Sequence, residues 1–178
     1  MRVEQAQADV RRTYRGGFSG SLVSSLLWFV AAAVDQWGSE RAAMVVLFFG
    51  GILIFPVSTL LLKIMGGPAT LPQGHPSISL AMQSAFTVPL GLLVALALGS
   101  VEPDLFFPAA LIIVGAHYLT FISLYGMRAY GALAAVLVGV GALALFWLPA
   151  LRDVSAWVGA VVLLLSAIPL YLEYRSRA

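Results

Sequence analysis

The stretch that decides the fold is 105–149, LFFPAALIIVGAHYLTFISLYGMRAYGALAAVLVGVGALALFWLP. It is apolar almost throughout, and Arg128 is its only charged side chain. As one helix it would be about 68 Å long at 1.5 Å per residue, twice the hydrocarbon core of a bilayer. It therefore turns near its middle, and Gly126, Arg128 and Gly131 put that turn at 126–131. Two consecutive membrane spans follow, 105–128 and 130–149.

Four further segments have the length and apolarity of a span: 18–34, 43–64, 79–99 and 155–173. The six occupy about 120 residues at about 20 per crossing. What remains of the 178 residues is a 17-residue amino-terminal segment, short loops and a five-residue tail. The expectation is an all-α protein, a polytopic integral membrane bundle of six transmembrane helices that forms a single membrane domain over 1–178. Any site then lies in the membrane or at its edge. Composition agrees: 61% of residues are hydrophobic and 10% charged, with a mean hydropathy of +0.96. Soluble domains have about 45–50% apolar and about 25% charged residues. This excludes a nucleic-acid binder, a secreted disulfide scaffold and a disordered tail. With no cysteine, thiolate catalysis, iron–sulfur clusters and cysteine-bound zinc are also excluded.

Charge sets the expected orientation. With the amino terminus inside, the inner segments hold Arg2, Arg11, Arg12, Arg15, Lys63, Arg128, Arg175 and Arg177, and the outer loops hold Arg41 and Arg152. Eight against two satisfies the positive-inside rule with both termini cytoplasmic, in the plasma (inner) membrane of a bacterial cell. Trp37, Trp147 and Trp157 fall near the outer interface, where indole is enriched. Ala31-Ala32-Ala33 imitates a signal-peptide cleavage site, but Glu4 and Asp9 in the leading segment are unlike a basic n-region, so the first span is read as retained. The segment MRVEQAQADVRRTYRGG reads as a short helix on the inner surface, with Arg11, Arg12 and Arg15 towards anionic head groups.

Helices in lipid associate through small residues and hydrogen bonds, because apolar faces gain nothing by meeting. Gly17, Ser21 and Ser25 at the first span, and Gly131, Ala135 and Gly139 in the fifth, recur every four residues and form smooth packing faces. The same spacing would serve a homo-oligomer. Pro56, Pro89, Pro108 and Pro169 interrupt the second, third, fourth and sixth spans. Polar residues sit near two of these breaks: Ser58 and Thr59 after Pro56, and Gln83, Ser84 and Thr87 before Pro89. Kinked helices with such neighbours would line a small cavity. The candidate three-span halves show no internal repeat.

His117 is the one ionisable residue near the middle of a span, in VGAHYLTFISLYGM, which makes it a functional candidate. A single hydrogen bond to a neighbouring helix would equally make it structural. Tyr118, Phe121, Tyr125 and Arg128 form one helical stripe, and His117, Thr120 and Leu124 the next. The candidate polar cavity therefore comprises His117, Tyr118, Thr120, Tyr125, Gln83, Thr87 and Ser58. His75 lies in the Pro- and Gly-rich loop 65–78, which is a connector first. Two histidines and no deep carboxylate do not make a metal site. Gly17-Phe18-Ser19-Gly20 matches a GxSG protease fragment, but His117 would lie about 12–15 Å from Ser19 along the membrane normal, beyond reach of a general base.

The fragments GGILIFPVSTLLLKIMG, HPSISLAMQSA and FFPAALIIVGAHYLTFISLYGMRAY together resemble a family of small bacterial membrane proteins known only as a domain of unknown function. The shared features are Phe55-Pro56, an N-P or H-P pair (here His75-Pro76) and Gly115-Ala116-His117-Tyr118-Leu119. The likeness spans roughly 11–130. His75 stands where the family has Asn, so no role passes to it, and the resemblance implies no activity. The functional expectation is binding or transport of a small neutral or amphipathic molecule near His117. The alternative is an accessory protein that acts through helix contacts, and an intramembrane enzyme comes third. The partners expected are bilayer lipid and an unidentified small-molecule or lipid ligand. No cofactor is expected.

Overall fold

The computed structural model describes residues 1–177, which contain no strand and hold six helices long and apolar enough to cross a membrane. A surface helix, α1 (Val3–Tyr14), precedes α2 (Phe18–Trp37). Then follow α3 (Glu40–Ile64), α4 (Ser77–Val101), α5 (Phe106–Tyr125), α6 (Ala129–Phe146) and α7 (Ser155–Ser176). The turn expected at 126–131 is tighter, because α5 stops at Tyr125 and α6 starts at Ala129. Gly126 ends α5 with φ 64, and a Cβ there would strike Gln7 and Arg11.

The bundle is built on two close pairs, α2 with α7 and α5 with α6. Glycines set the approach. A Cβ at Gly159 of α7 would lie 2.5 Å from the Trp28 ring, and one at Gly141 of α6 would lie 2.6 Å from the Pro108 carbonyl. Trp28, Phe106, Leu111, Leu137 and Leu163 fill the centre. Of the two small-residue faces, the first packs inward: the Ser21 hydroxyl lies 2.6 Å from that of Ser166 and donates to the Leu163 carbonyl at 2.8 Å, and Ser25 is fully buried. The second face points elsewhere. Gly131 abuts Ile122, but Ala135 is exposed and Gly139 has open space beside it. Close contact between α5 and α6 instead uses Gly115 and Gly141. α6 is apolar all round, so its small residues occur on more than one face, and spacing alone does not choose between them.

α3 and α4 form the flank. α3 packs on α2 and α4 on α5, while the two touch each other little. They approach near the start of α3 and the end of α4, where Met44 lies against Gly99. Pro56, Pro89 and Pro169 lie inside helices that continue through them. Pro108 sits in the first turn of α5, where its missing N–H would be unpaired in any case.

Both termini lie at the same face, where they grip the α5–α6 turn. Arg11 of α1 donates to the Tyr125 carbonyl at 2.6 Å, and Arg177 donates to the Gly126 carbonyl at 2.9 Å. On the other side of the turn, the Glu173 carboxylate accepts the backbone N–H groups of Arg128 (3.1 Å) and Ala129 (3.0 Å), and pairs with Arg177 at 2.7 Å. α1 is thereby drawn across the end of the bundle and buries Val10 and Thr13. Successive left-handed residues, Arg15, Gly16 and Gly17, make the sharp bend into α2. The 65–76 connector closes against α1: Arg15 donates to the Met65 carbonyl at 3.0 Å, and buried His75 lies 3.6 Å from Asp9.

Removing the Glu173 carboxylate leaves two amides and a guanidinium without their acceptor. Glu173→Ala is expected to cost about 1–3 kcal/mol, read as a lower Tm of the purified chain in detergent. Glu4→Ala, at an exposed pair with Arg2, should leave Tm unchanged. Equal melting of Glu173→Ala and the parent would show that the turn does not depend on this clasp.

Candidate functional site

The structure gathers part of the predicted cluster and disperses the rest. His117 sits on the side of α5 that meets α4. Its Nδ1 is 2.8 Å from the Ser84 hydroxyl and 2.9 Å from the Ser84 carbonyl. A carbonyl only accepts, so the contact at 2.9 Å requires the proton on Nδ1, and in the neutral ring Nε2 is then left as an acceptor. The α4 backbone thus fixes the tautomer of His117. Gly91, further along α4, makes the second close approach of this pair, against Ile113.

Behind the imidazole lies a run of rings. Phe121 meets it edge-on with centroids 4.5 Å apart, and Tyr118 is 5.4 Å away. Tyr118 stacks on Tyr130 of α6, and Tyr125 joins Tyr130 at 5.1 Å. The Tyr130 hydroxyl donates to the Gly16 carbonyl at 2.8 Å, so the run is tied to the α1–α2 bend. Tyr118, Tyr125 and Tyr130 are all buried. Of the stripe read from the sequence, Arg128 does not take part: α5 ends at Tyr125, and Arg128 turns outward, exposed. Tyr130, which opens α6, takes its place.

The other candidate residues lie apart from this centre. Ser58 on α3 is buried and donates to the Phe55 carbonyl of its own helix at 2.9 Å. Gln83 and Thr87 are exposed on α4, with the Thr87 hydroxyl bonded to the Gln83 carbonyl at 2.9 Å. Thr120 is half-buried. Among the described residues, none of these four has a hydrogen bond to His117. The polar partner that does, Ser84, stands next to Gln83 in the sequence. A polar residue one position along points about 100° away on a helix, and α4 is too uniformly apolar for its pattern to show which of its polar residues faces inward. His75 is the other residue that composition undervalued. Besides facing Asp9, its Nδ1 accepts the Ser77 N–H at 3.2 Å, at the start of α4.

Six apolar helices around a small polar and aromatic centre define a multi-pass membrane protein that contacts the lipid bilayer. The chain belongs to DUF7010, a family of unknown function whose model matches residues 3–173. Comparison with curated proteins and with solved structures finds no match.

The Ser84–His117 contact predicts a measurable coupling between α4 and α5. Ser84→Ala, His117→Ala and the double variant should define a cycle with an interaction of about 0.6 kcal/mol, and at most about 1.7 kcal/mol, the range for polar pairs between membrane helices. Additive losses of unfolding free energy would mean that the Ser84 hydroxyl adds nothing to the bond that His117 makes to the Ser84 carbonyl.

Proposed function

We propose that this protein binds an amphipathic molecule from the bilayer at the α4–α5 seam and acts as a binder or carrier rather than as an enzyme. The observation that carries this reading is the pairing of His117 Nδ1 with Ser84, which leaves Nε2 of a half-buried imidazole as an acceptor at bilayer depth. Gln83, next to Ser84, adds an exposed amide on an otherwise apolar surface. It lies about 9 Å from the start of α4, at 1.5 Å per residue. A molecule with a hydroxyl or amide head would donate to Nε2 while its tail stays in lipid.

The test uses a diazirine-bearing monoacylglycerol in phosphatidylcholine nanodiscs. Photolabelling should concentrate on the peptides containing Gln83–Thr87 and His117–Phe121. His117→Asn keeps a group able to bond Ser84 but lacks the second ring nitrogen, and should lower this labelling about fivefold, the equivalent of one hydrogen bond. Labelling spread evenly over all six spans, or unchanged in the variant, would remove the site. A second reading, an accessory protein acting through helix contacts, is favoured by the outward-facing Ala135 and Gly139. It predicts photolabel-independent crosslinks between two copies along α6.

The orientation we propose is a bacterial plasma membrane with both termini in the cytoplasm, supported by the eight-to-two distribution of basic residues. The chain has no cysteine, so single Ser176→Cys and Ser39→Cys variants give a direct measurement. An impermeant maleimide applied to intact cells should label position 39 and spare position 176. The reverse pattern would invert the topology.

A further inference from the structure

Two clefts flank Tyr174, where the last turns of α7 meet α1. The first, ≈ 200 Å³, is lined by Ala8, Arg11, Arg12, Tyr174 and Arg177. The second, ≈ 300 Å³, is lined by Arg15, Tyr171, Tyr174 and Arg175. Five guanidinium groups thus converge on one ring, and none of the lining residues is acidic. The neighbouring carboxylates are already engaged. Asp9 pairs with Arg12 at 2.6 Å, and Glu173 serves the α5–α6 turn and Arg177. Arg15 and Arg175 have no carboxylate partner among the described residues. Arg15 donates to the Met65 carbonyl, and Arg175 lies 6.0 Å from the centroid of the Tyr171 ring.

The arrangement is fixed before any ligand arrives. Arg11 and Arg177 are docked on the adjacent carbonyls of Tyr125 and Gly126, each through one N–H, which leaves further donors free. Burial lowers the pKa of Arg11, and the nearby Arg177 charge lowers it further. Glu173 offsets part of this charge, because it pairs with Arg177 at 2.7 Å and raises the pKa of Arg11. Guanidinium forks match phosphate oxygens, tyrosines are enriched at head-group level, and basic clusters at the inner edge of membrane helices attract anionic lipid. A single aromatic ring between two basic clefts suits two phosphates joined by a short linker.

We propose that the paired clefts bind a phospholipid head carrying two phosphodiesters, one phosphate on either side of Tyr174. This site is separate from the His117 seam, and neither depends on the other.

The full chain is placed in nanodiscs of phosphatidylcholine doped with either cardiolipin or phosphatidylglycerol at matched charge, and retained lipid is counted by native mass spectrometry. The parent should retain cardiolipin in preference to phosphatidylglycerol. Arg12→Gln and Arg175→Gln, each on a different cleft and neither bonded to the α5–α6 turn, should each lower that preference about fivefold. Arg128→Gln removes an exposed charge on the same face outside both clefts. It should lower retention of both lipids equally and leave their ratio unchanged. An unaltered ratio in Arg12→Gln and Arg175→Gln, or an equal fall in Arg128→Gln, would overturn the site in favour of diffuse attraction. A parallel arm adds pyrophosphate to the lipid-free protein in detergent. Stabilisation there equal to that given by cardiolipin would overturn the lipid assignment and point to a soluble diphosphate, and no stabilisation would support it.

Discussion

The structure depends on how the end of α5 is satisfied. A helix that stops leaves its last carbonyls without intrahelical partners, and the next helix begins with unpaired N–H groups. Between α5 and α6 there are three residues in which to solve both problems. Arg11 and Arg177 bond the carbonyls of Tyr125 and Gly126, while Glu173 takes the N–H groups of Arg128 and Ala129. One short turn thereby joins α1, α5, α6 and α7. Because Arg11 is committed here, α1 lies under the bundle. Asp9 then faces His75, and Arg15 reaches Met65. The order of the 65–76 connector follows from a contact made on another part of the chain.

The same chemistry recurs at other helix ends. Met65, whose carbonyl receives Arg15, follows the last residue of α3. At the opposite face Arg152 donates to the carbonyls of Ala144 and Leu145 in the last turn of α6 and pairs with Asp104 at 3.1 Å. A guanidinium near a helix carboxyl end satisfies an orphan carbonyl and complements the helix dipole at once. Charge counting assigns these arginines to orientation alone. In the structure they are also the caps that let apolar helices end abruptly, which explains why Arg152 stands on the side where basic residues are otherwise scarce.

The spans were legible because length and apolarity leave no other reading, and the 105–149 turn because a run of that length must fold back. His117 was legible as the sole deep ionisable residue. Its partner was not. Ser84, Gln83 and Thr87 are equally polar, and α4 lacks the amphipathic contrast that would show which one faces α5. The aromatic run was half legible: Tyr118, Phe121 and Tyr125 share a stripe on one helix, but Tyr130 joins from the next only because the turn ends sooner than expected. Small-residue spacing identified the buried face of α2 and an outward face of α6, since in lipid both kinds of surface are apolar and only their neighbours distinguish them. The arginine clasps were hidden for a different reason, because each joins residues more than a hundred positions apart or bonds a backbone group that carries no sequence signal.

Lipid also explains why a polar pair sits where it does. In water α4 would be held to α5 by the area it buries, but in a bilayer that area is worth as much against acyl chains. What distinguishes the docked position of α4 is close fit at Gly91 and the hydrogen bond from His117 to Ser84. α3, beyond it, is attached to α2 instead, with Gly50 against Leu27. The flank is thus two helices fastened to different partners and in little contact with each other. The imidazole that secures α4 also meets Phe121 edge-on, so the ring that fixes α4 in place is the first ring of the aromatic run. The position of the flank and the packing of the aromatic centre are therefore coupled through one side chain.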